Sequence, residues 1–233
     1  MKGKTVQRHI DKELNKLNTD LLKMAYLTEQ AIYRSIEALK NKDTEMALAV
    51  IEGDKQIDRL ELIIDEMAID LLALYQPMAT DLRFITMAMK INAEIERIAD
   101  LSVNICQRVL EIADRPLLKP IKEIITLSDI ARKMVRDAID AFVNRDKKLA
   151  KEVILTEPSA NQLRTSIQRE LIYEFLVKDG NTAPQGVPML LVVRHLERIC
   201  DHATNIAENI IYMVQAKFVK HTAFPRRNST GSP

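Results

Sequence analysis

Glu96, Asp100 and Asn104 stand four residues apart, and Glu197, Asp201 and Asn205 repeat the pattern 101 residues later. Each trio sits in a shared phrase, Glu96-Arg97-Ile98-Ala99-Asp100 in one copy and Glu197-Arg198-Ile199-Cys200-Asp201 in the other. Both phrases lack Gly and Pro and space their apolar residues helically, and on a helix residues four apart share a face. Each trio therefore lines one polar ridge, which Glu208 extends in the second copy. Carboxylate and amide oxygens are hard ligands, so such a ridge suits a divalent or ferric cation. The same residues would also serve as a solvated helix face or as a polar network between packed helices. Duplication of the whole phrase argues against coincidence without choosing between network and metal.

A second acidic row, Asp54, Asp58, Glu61 and Asp65, falls on one face of a neighbouring predicted helix. It would complete a carboxylate-rich site if that helix faces the first ridge. With Lys55 and Arg59 alongside, a solvated face is the simpler reading. In the second half Glu157 and Asn161 stand where Asp54 and Asp58 map, so the second site is expected to be the weaker.

Apolar residues recurring at three- and four-residue steps predict six helices, over residues 9–40, 44–75, 81–113, 121–144, 147–178 and 187–219. Asp43 is placed to cap the second, and Gln76-Pro77 to end it, because a residue before proline leaves the α region. Gly53 inside the second helix and Pro158 inside the fifth are expected weak points, with a bend or interruption near Pro158. The halves also echo outside the ridges: Asp43, Ala47, Val50 and Ile51 return as Asp146, Ala150, Val153 and Ile154, now 103 residues apart. The two-residue discrepancy predicts a shorter connection between the fifth and sixth helices than between the second and third. The chain thus reads as all-α: two tandem, internally duplicated three-helix bundles, residues 1–114 and 121–221. A Pro-containing linker at 115–120 joins them, and a disordered tail follows at 222–233.

Composition narrows the function. Of 233 residues, 47% are hydrophobic and 29% charged, enough for a packed core. A net charge of +1 and 4% aromatic residues offer nucleic acid neither a field nor a stacking platform. Cys106 and Cys200 form no framework and fit packing positions in a reducing compartment. The first ten residues lack the apolar stretch of a secretory signal, and no apolar run nears the ~18 residues of a membrane span. A cytoplasmic protein is expected. Glu-x-x-His pairs, HExxH, GxSxG and phosphate-binding Gly loops are missing, so a non-enzyme is expected. His195 and His202 share a helix face and read as packing or surface histidines, with an auxiliary metal role for His202 as the alternative. No group of arginines gathers at a predicted helix N-terminus, so no phosphate site is legible.

The doubled ER-x-x-D-x-x-x-N signature, one copy per half of an all-helical chain, closely resembles that of the PhoU family of phosphate-transport accessory proteins. Gln76-Pro77-Met78-Ala79-Thr80-Asp81-Leu82-Arg83 is similar to that family's QP-x-A-x-DLR turn, and the resemblance covers nearly the whole chain. It implies a metal role for Glu96, Asp100, Glu197 and Asp201, with iron or zinc the expected ion. Asn104, Asn205, Asp54 and Asp58 join that candidate set by their spacing. The resemblance also implies negative control of phosphate uptake through two partners, the ATPase subunit of a phosphate ABC transporter and a phosphate-responsive sensor histidine kinase. Membrane association would then come only through partners, and a homodimer is the expected assembly. Two other classes stay open: a carboxylate-cluster metal-dependent enzyme or metal store, and a three-helix-bundle chaperone cofactor.

Overall fold

The computed structural model describes residues 9–216. The expected tail at 222–233 and the end of the sixth predicted helix lie outside them. Six long helices account for almost all of the described chain: α1 (His9–Asn41), α2 (Thr44–Tyr75), α3 (Ala79–Ile112), α4 (Ile121–Asn144), α5 (Lys147–Glu170) and α6 (Ala183–Gln215). A π-helical turn (Leu171–Leu176) and a 3-10 turn (Gly180–Thr182) join α5 to α6.

The duplication is built into the turns atom by atom. Asp43 caps α2 by accepting the Met46 N–H at 2.8 Å, and Asp146 caps α5 by accepting the Lys148 and Leu149 N–H groups at 2.8 and 3.3 Å. Immediately before each cap a non-glycine residue takes the left-handed conformation, Lys42 at φ 54° and Arg145 at φ 50°. The cap residue's own N–H then reaches back to a helix carbonyl, Asp43 to Ala38 at 2.9 Å and Asp146 to Ala141 at 2.8 Å. This closes the last turn of the preceding helix in the Schellman manner.

Three expectations change here. First, α5 runs unbroken through Pro158. The proline is exposed, while Val153 and Ala160 on either side are buried in the core, so packing holds the helix across the lost hydrogen bond. Likewise α2 passes through Gly53 without a break. Second, α6 begins at Ala183, four residues before the expected start. Pro184 lies in its first turn, where the missing N–H has no helical partner to lose. Gly186 is there for space, since a Cβ would come within 2.6 Å of Leu176 in the π-helical turn. Third, residues 177–182 between the π-helical turn and α6 make a longer connection than residues 76–78. The second half is shortened instead along the helix: α5 with its π-helical turn spans 147–176, two residues fewer than α2 at 44–75.

Packing makes two three-helix units, α1–α2–α3 and α4–α5–α6, joined mainly where α3 meets α6. α2 touches only α1 and α3, and among the helices α5 touches only α4 and α6, so these two lie at opposite edges. α1 and α4 make a second bridge: Arg132 and Arg136 pair with Glu29, and the Arg132 guanidinium lies 4.7 Å from the centre of the Tyr33 ring. Phe84 stacks on Phe142 across the halves at 5.4 Å. One continuous core runs through both units. The 115–120 segment takes part in it, because Leu118 is buried. Among the described residues no strand occurs, and no helix is long and apolar enough to cross a membrane.

Candidate metal centre

Packing of α2 on α3 brings the two acidic rows together. Apolar positions Ile57, Leu60, Ile64 and Ala68 are buried, so the intervening row at Asp54, Asp58, Glu61 and Asp65 flanks the contact rather than entering it. α3 answers with Glu96 and Asp100, set beside the buried stripe Ile91, Ile95, Ile98 and Ala99. The carboxylates feel one another across the helix pair. Asp54 is pushed up to about 6, first by burial and then by Asp58 and Asp100. Glu96 is pushed up to about 7 by burial and Asp100, with Arg97 opposing and Glu61 and Asp58 adding to the rise. Glu61 moves the same way, through burial and then Asp65 and Asp58.

Arg97 is the cation that meets this group, 3.5 Å from Glu96 and 3.6 Å from Asp100. One guanidinium faces five carboxylates, those of Asp54, Asp58, Glu61, Glu96 and Asp100. The donor set therefore fits a hard cation, whose charge would remove the repulsion that burial sharpens. The side chains are neighbours rather than a closed cage: among the described residues no three His, Cys, Asp or Glu side chains stand in ligand geometry. Asn104 continues the ridge one turn on and hydrogen-bonds none of the carboxylates.

Asn92 was not among the expected site residues, although it precedes Glu96 by four on the same ridge. It is fully buried, and its amide donates to the Glu61 carbonyl at 3.0 Å and to Asp65 Oδ1 at 2.9 Å. It thereby ties α3 to α2 at the site and engages the last carboxylate of the row.

The second half is built differently. Arg164 stands 103 residues after Glu61 and binds Glu197 Oε1 through Nη2 at 2.8 Å. Asn161 lies 3.5 Å from Glu157. Asp201 is pushed up by burial and then by Glu197 and Glu157, while His202 and Arg164 oppose the shift. Three carboxylates with a bound arginine fit a cation less well than five with one partial neutraliser. Asn205 belongs to neither cluster: it donates to Glu94 Oε2 across the α3–α6 seam at 3.1 Å. His202 joins the same carboxylate at 2.6 Å through Nδ1, so its partner is Glu94 in the other half. Sequence spacing along one helix carries no signal for a contact between residues 108 positions apart.

Each three-helix unit carries one ExxxD ridge on its third helix. A family model described as PhoU domain covers the chain twice, over residues 21–109 and 124–210. The chain belongs to the PhoU family. It is 39% identical over 210 residues to the phosphate-specific transport system accessory protein PhoU homolog of Aquifex aeolicus, covering 90% of this chain and 95% of the relative. Against the phosphate-specific transport system accessory protein PhoU of Escherichia coli K12, identity is 32% over 225 residues, or 94% of this chain and 90% of that protein. The crystal structure of PhoU from Pseudomonas aeruginosa matches with a TM-score of 0.87 and 31% identity, over 90% of this chain and all of that one. PhoU relatives are thus accessory proteins of a transport system, and the duplicated all-helical fold is theirs.

Proposed function

We propose that this chain is a regulatory adaptor of phosphate uptake that restrains a phosphate ABC transporter and its associated signalling, and that the α2–α3 carboxylates hold a metal ion. The observation that carries the reading is the double PhoU-domain match, with relatives named as phosphate-transport accessory proteins over nine-tenths of the chain. The partners under this reading are the transporter's ATPase subunit and a phosphate-responsive sensor histidine kinase, met on the cytoplasmic side, with the adaptor acting as a homodimer.

The metal supports the same role. Asp54, Asp58, Glu61, Glu96 and Asp100 come from two helices, and holding them to one ion would pin α2 to α3. When bound, the ion supplies charge neutralisation and cross-linking rather than substrate activation. Iron or zinc is the expected occupant, with the second half weaker because Arg164 already engages Glu197. Capture experiments test the adaptor reading. The full chain, with and without a chelator, is offered to the transporter ATPase and to the sensor kinase. Retention of either, with reduced phosphate uptake in cells expressing the chain, supports the reading. Failure to retain both, with uptake unchanged, contradicts it.

A further inference from the structure

Exposed apolar residues collect along the C-terminal half of α2 and just beyond it: Leu62, Ile63, Ile69, Leu74, Met78 and, in the first turn of α3, Leu82. The N-terminal half of α2 exposes one large apolar residue, Leu48. Where this stretch meets the start of α1, the surface dips into a groove of about 350 Å³, within the range of pockets that hold ligands. Ile63, Met67, Leu71 and Leu74 give the groove an apolar lining. Its charge is acidic, with Glu13, Glu66 and Asp70 set against Lys16. None of these three carboxylates makes an ion pair among the described residues. An apolar groove rimmed by carboxylates matches a segment that carries basic and apolar side chains together. The groove belongs to the α1–α2 pair, whereas the candidate metal centre belongs to α2 and α3.

The end of α6 stands close to it. Arg83 Nε, in the second turn of α3, donates to the Met213 carbonyl at 3.4 Å, and α3 follows α2 after residues 76–78 alone. α6 is then stopped by Ala216, which takes the left-handed φ of 54° and returns its N–H to the Tyr212 carbonyl at 2.8 Å. A residue in that conformation turns the chain off the helix axis. The sequence that follows, Lys217-Phe218-Val219-Lys220-His221-Thr222-Ala223-Phe224-Pro225-Arg226-Arg227, holds four Lys or Arg, two Phe and no carboxylate. From α6 past α3 to the groove is about two helix spacings, roughly 20 Å. Eight residues reach up to about 28 Å, which brings Phe224 within range.

We propose that residues 217–227 dock in the α1–α2 groove of their own chain, with Phe224 on its apolar lining and Arg226 and Arg227 on Glu66 and Asp70. A second copy of the same face is the poorer occupant. A two-fold contact sets a patch against itself, and three carboxylates would meet three. Residues 1–8 are basic as well, but they carry no aromatic side chain. The docked segment closes the groove to any other basic and apolar segment, so a partner using that face must first displace it.

The chain contains no tryptophan, so Phe224→Trp in the full chain makes a single fluorescent reporter. Its emission is expected to the blue of that from a free 217–227 peptide with the same substitution, and unchanged over about a hundredfold range of protein concentration. Adding Glu66→Lys/Asp70→Lys, at exposed positions, or Arg226→Glu/Arg227→Glu shifts the emission to the free-peptide value. Combining the two reversals restores the blue emission. Glu45→Lys/Glu52→Lys, at the other end of α2, leaves it unchanged. Thermal midpoints establish that each variant folds. Emission equal to that of the free peptide overturns the proposal, as it would with residues 1–8 in the groove. So does a blue shift that the charge reversals leave in place, or one that Glu45→Lys/Glu52→Lys abolishes equally. A blue shift that appears only as protein concentration rises assigns the groove to the segment of another copy, and overturns the proposal as well.

Discussion

Arg164 Nη2 lies 2.8 Å from Glu197 Oε1, at the position in α5 where the corresponding residue of α2 is Glu61. One replacement in the duplicated frame turns a carboxylate that repels its neighbours into a cation that binds one. The two halves share helices, caps and signature, yet the first sets five carboxylates against Arg97 where the second sets three against Arg164.

Reversing that replacement should make the second half resemble the first. Arg164→Glu is expected to lower the stability of the chelator-treated protein by about 1–3 kcal/mol, because Glu197 loses its partner and gains a like charge. It is also expected to raise metal uptake per chain. Denaturant titration in EDTA, together with metal analysis after loading, checks both. Unchanged metal content would show that charge is not what separates the two sites.

The raised carboxylates set the sign of a pH dependence. Glu96 at about 7 and Asp54 at about 6 hold their protons more tightly folded than unfolded. Through the window from about pH 4 up to 7 the folded state therefore carries more protons, and stability falls as pH rises. His195, pushed down to about 4, acts in the opposite sense below its ordinary value. The comparison must then be between proteins. In EDTA, the gain in thermal midpoint of Asp54→Asn/Glu96→Gln over wild type should be larger at pH 7.5 than at pH 5. An equal difference at both values would mean that these two carboxylates are not raised in the folded protein.

Asn92 offers a check on how the site is held. Asn92→Ala removes the buried donor to the Glu61 carbonyl and to Asp65 Oδ1. A cost of about 1–3 kcal/mol is expected from chemical denaturation. A neutral substitution would show that α2 and α3 are positioned by apolar packing alone.

Pro158 sits inside a helix that continues through it. Pro158→Ala restores a donor, removes a ring that crowds the preceding turn, and is expected to stabilise the protein by up to about 3 kcal/mol. A loss of stability would mean that the proline is favoured where it stands.

Much of the fold was legible in the sequence because its signals are local. Asp43 and Asp146 announce helix starts by their own hydrogen bonds, and the apolar spacing of α2 marks the face that Ile57, Leu60 and Ile64 bury. The start of α6 was misread because Pro184 falls in the first turn, where its missing N–H has no helical partner to lose, and the buried Pro188 is carried inside the helix by the core around it. Of the candidate site, Asp54, Asp58, Glu96 and Asp100 are brought together, as four-residue spacing and helix adjacency require. Asn205 turned to Glu94, and Arg164 met Glu197, through packing between different helices, which spacing along one helix does not encode.

Metal content and thermal stability together test the central claim, that the α2–α3 carboxylates form a cation site. Protein purified without chelating steps is analysed for bound metal. Thermal midpoints are then measured with and without added iron, zinc, manganese or magnesium, for wild type, Glu96→Ala/Asp100→Ala and Glu197→Ala/Asp201→Ala. Wild type should retain metal and gain stability from at least one of these ions, as ligation of the folded state requires. The first double variant should lose most of both effects and the second should lose less. A wild type that keeps no metal and is stabilised by none of the four would contradict the account.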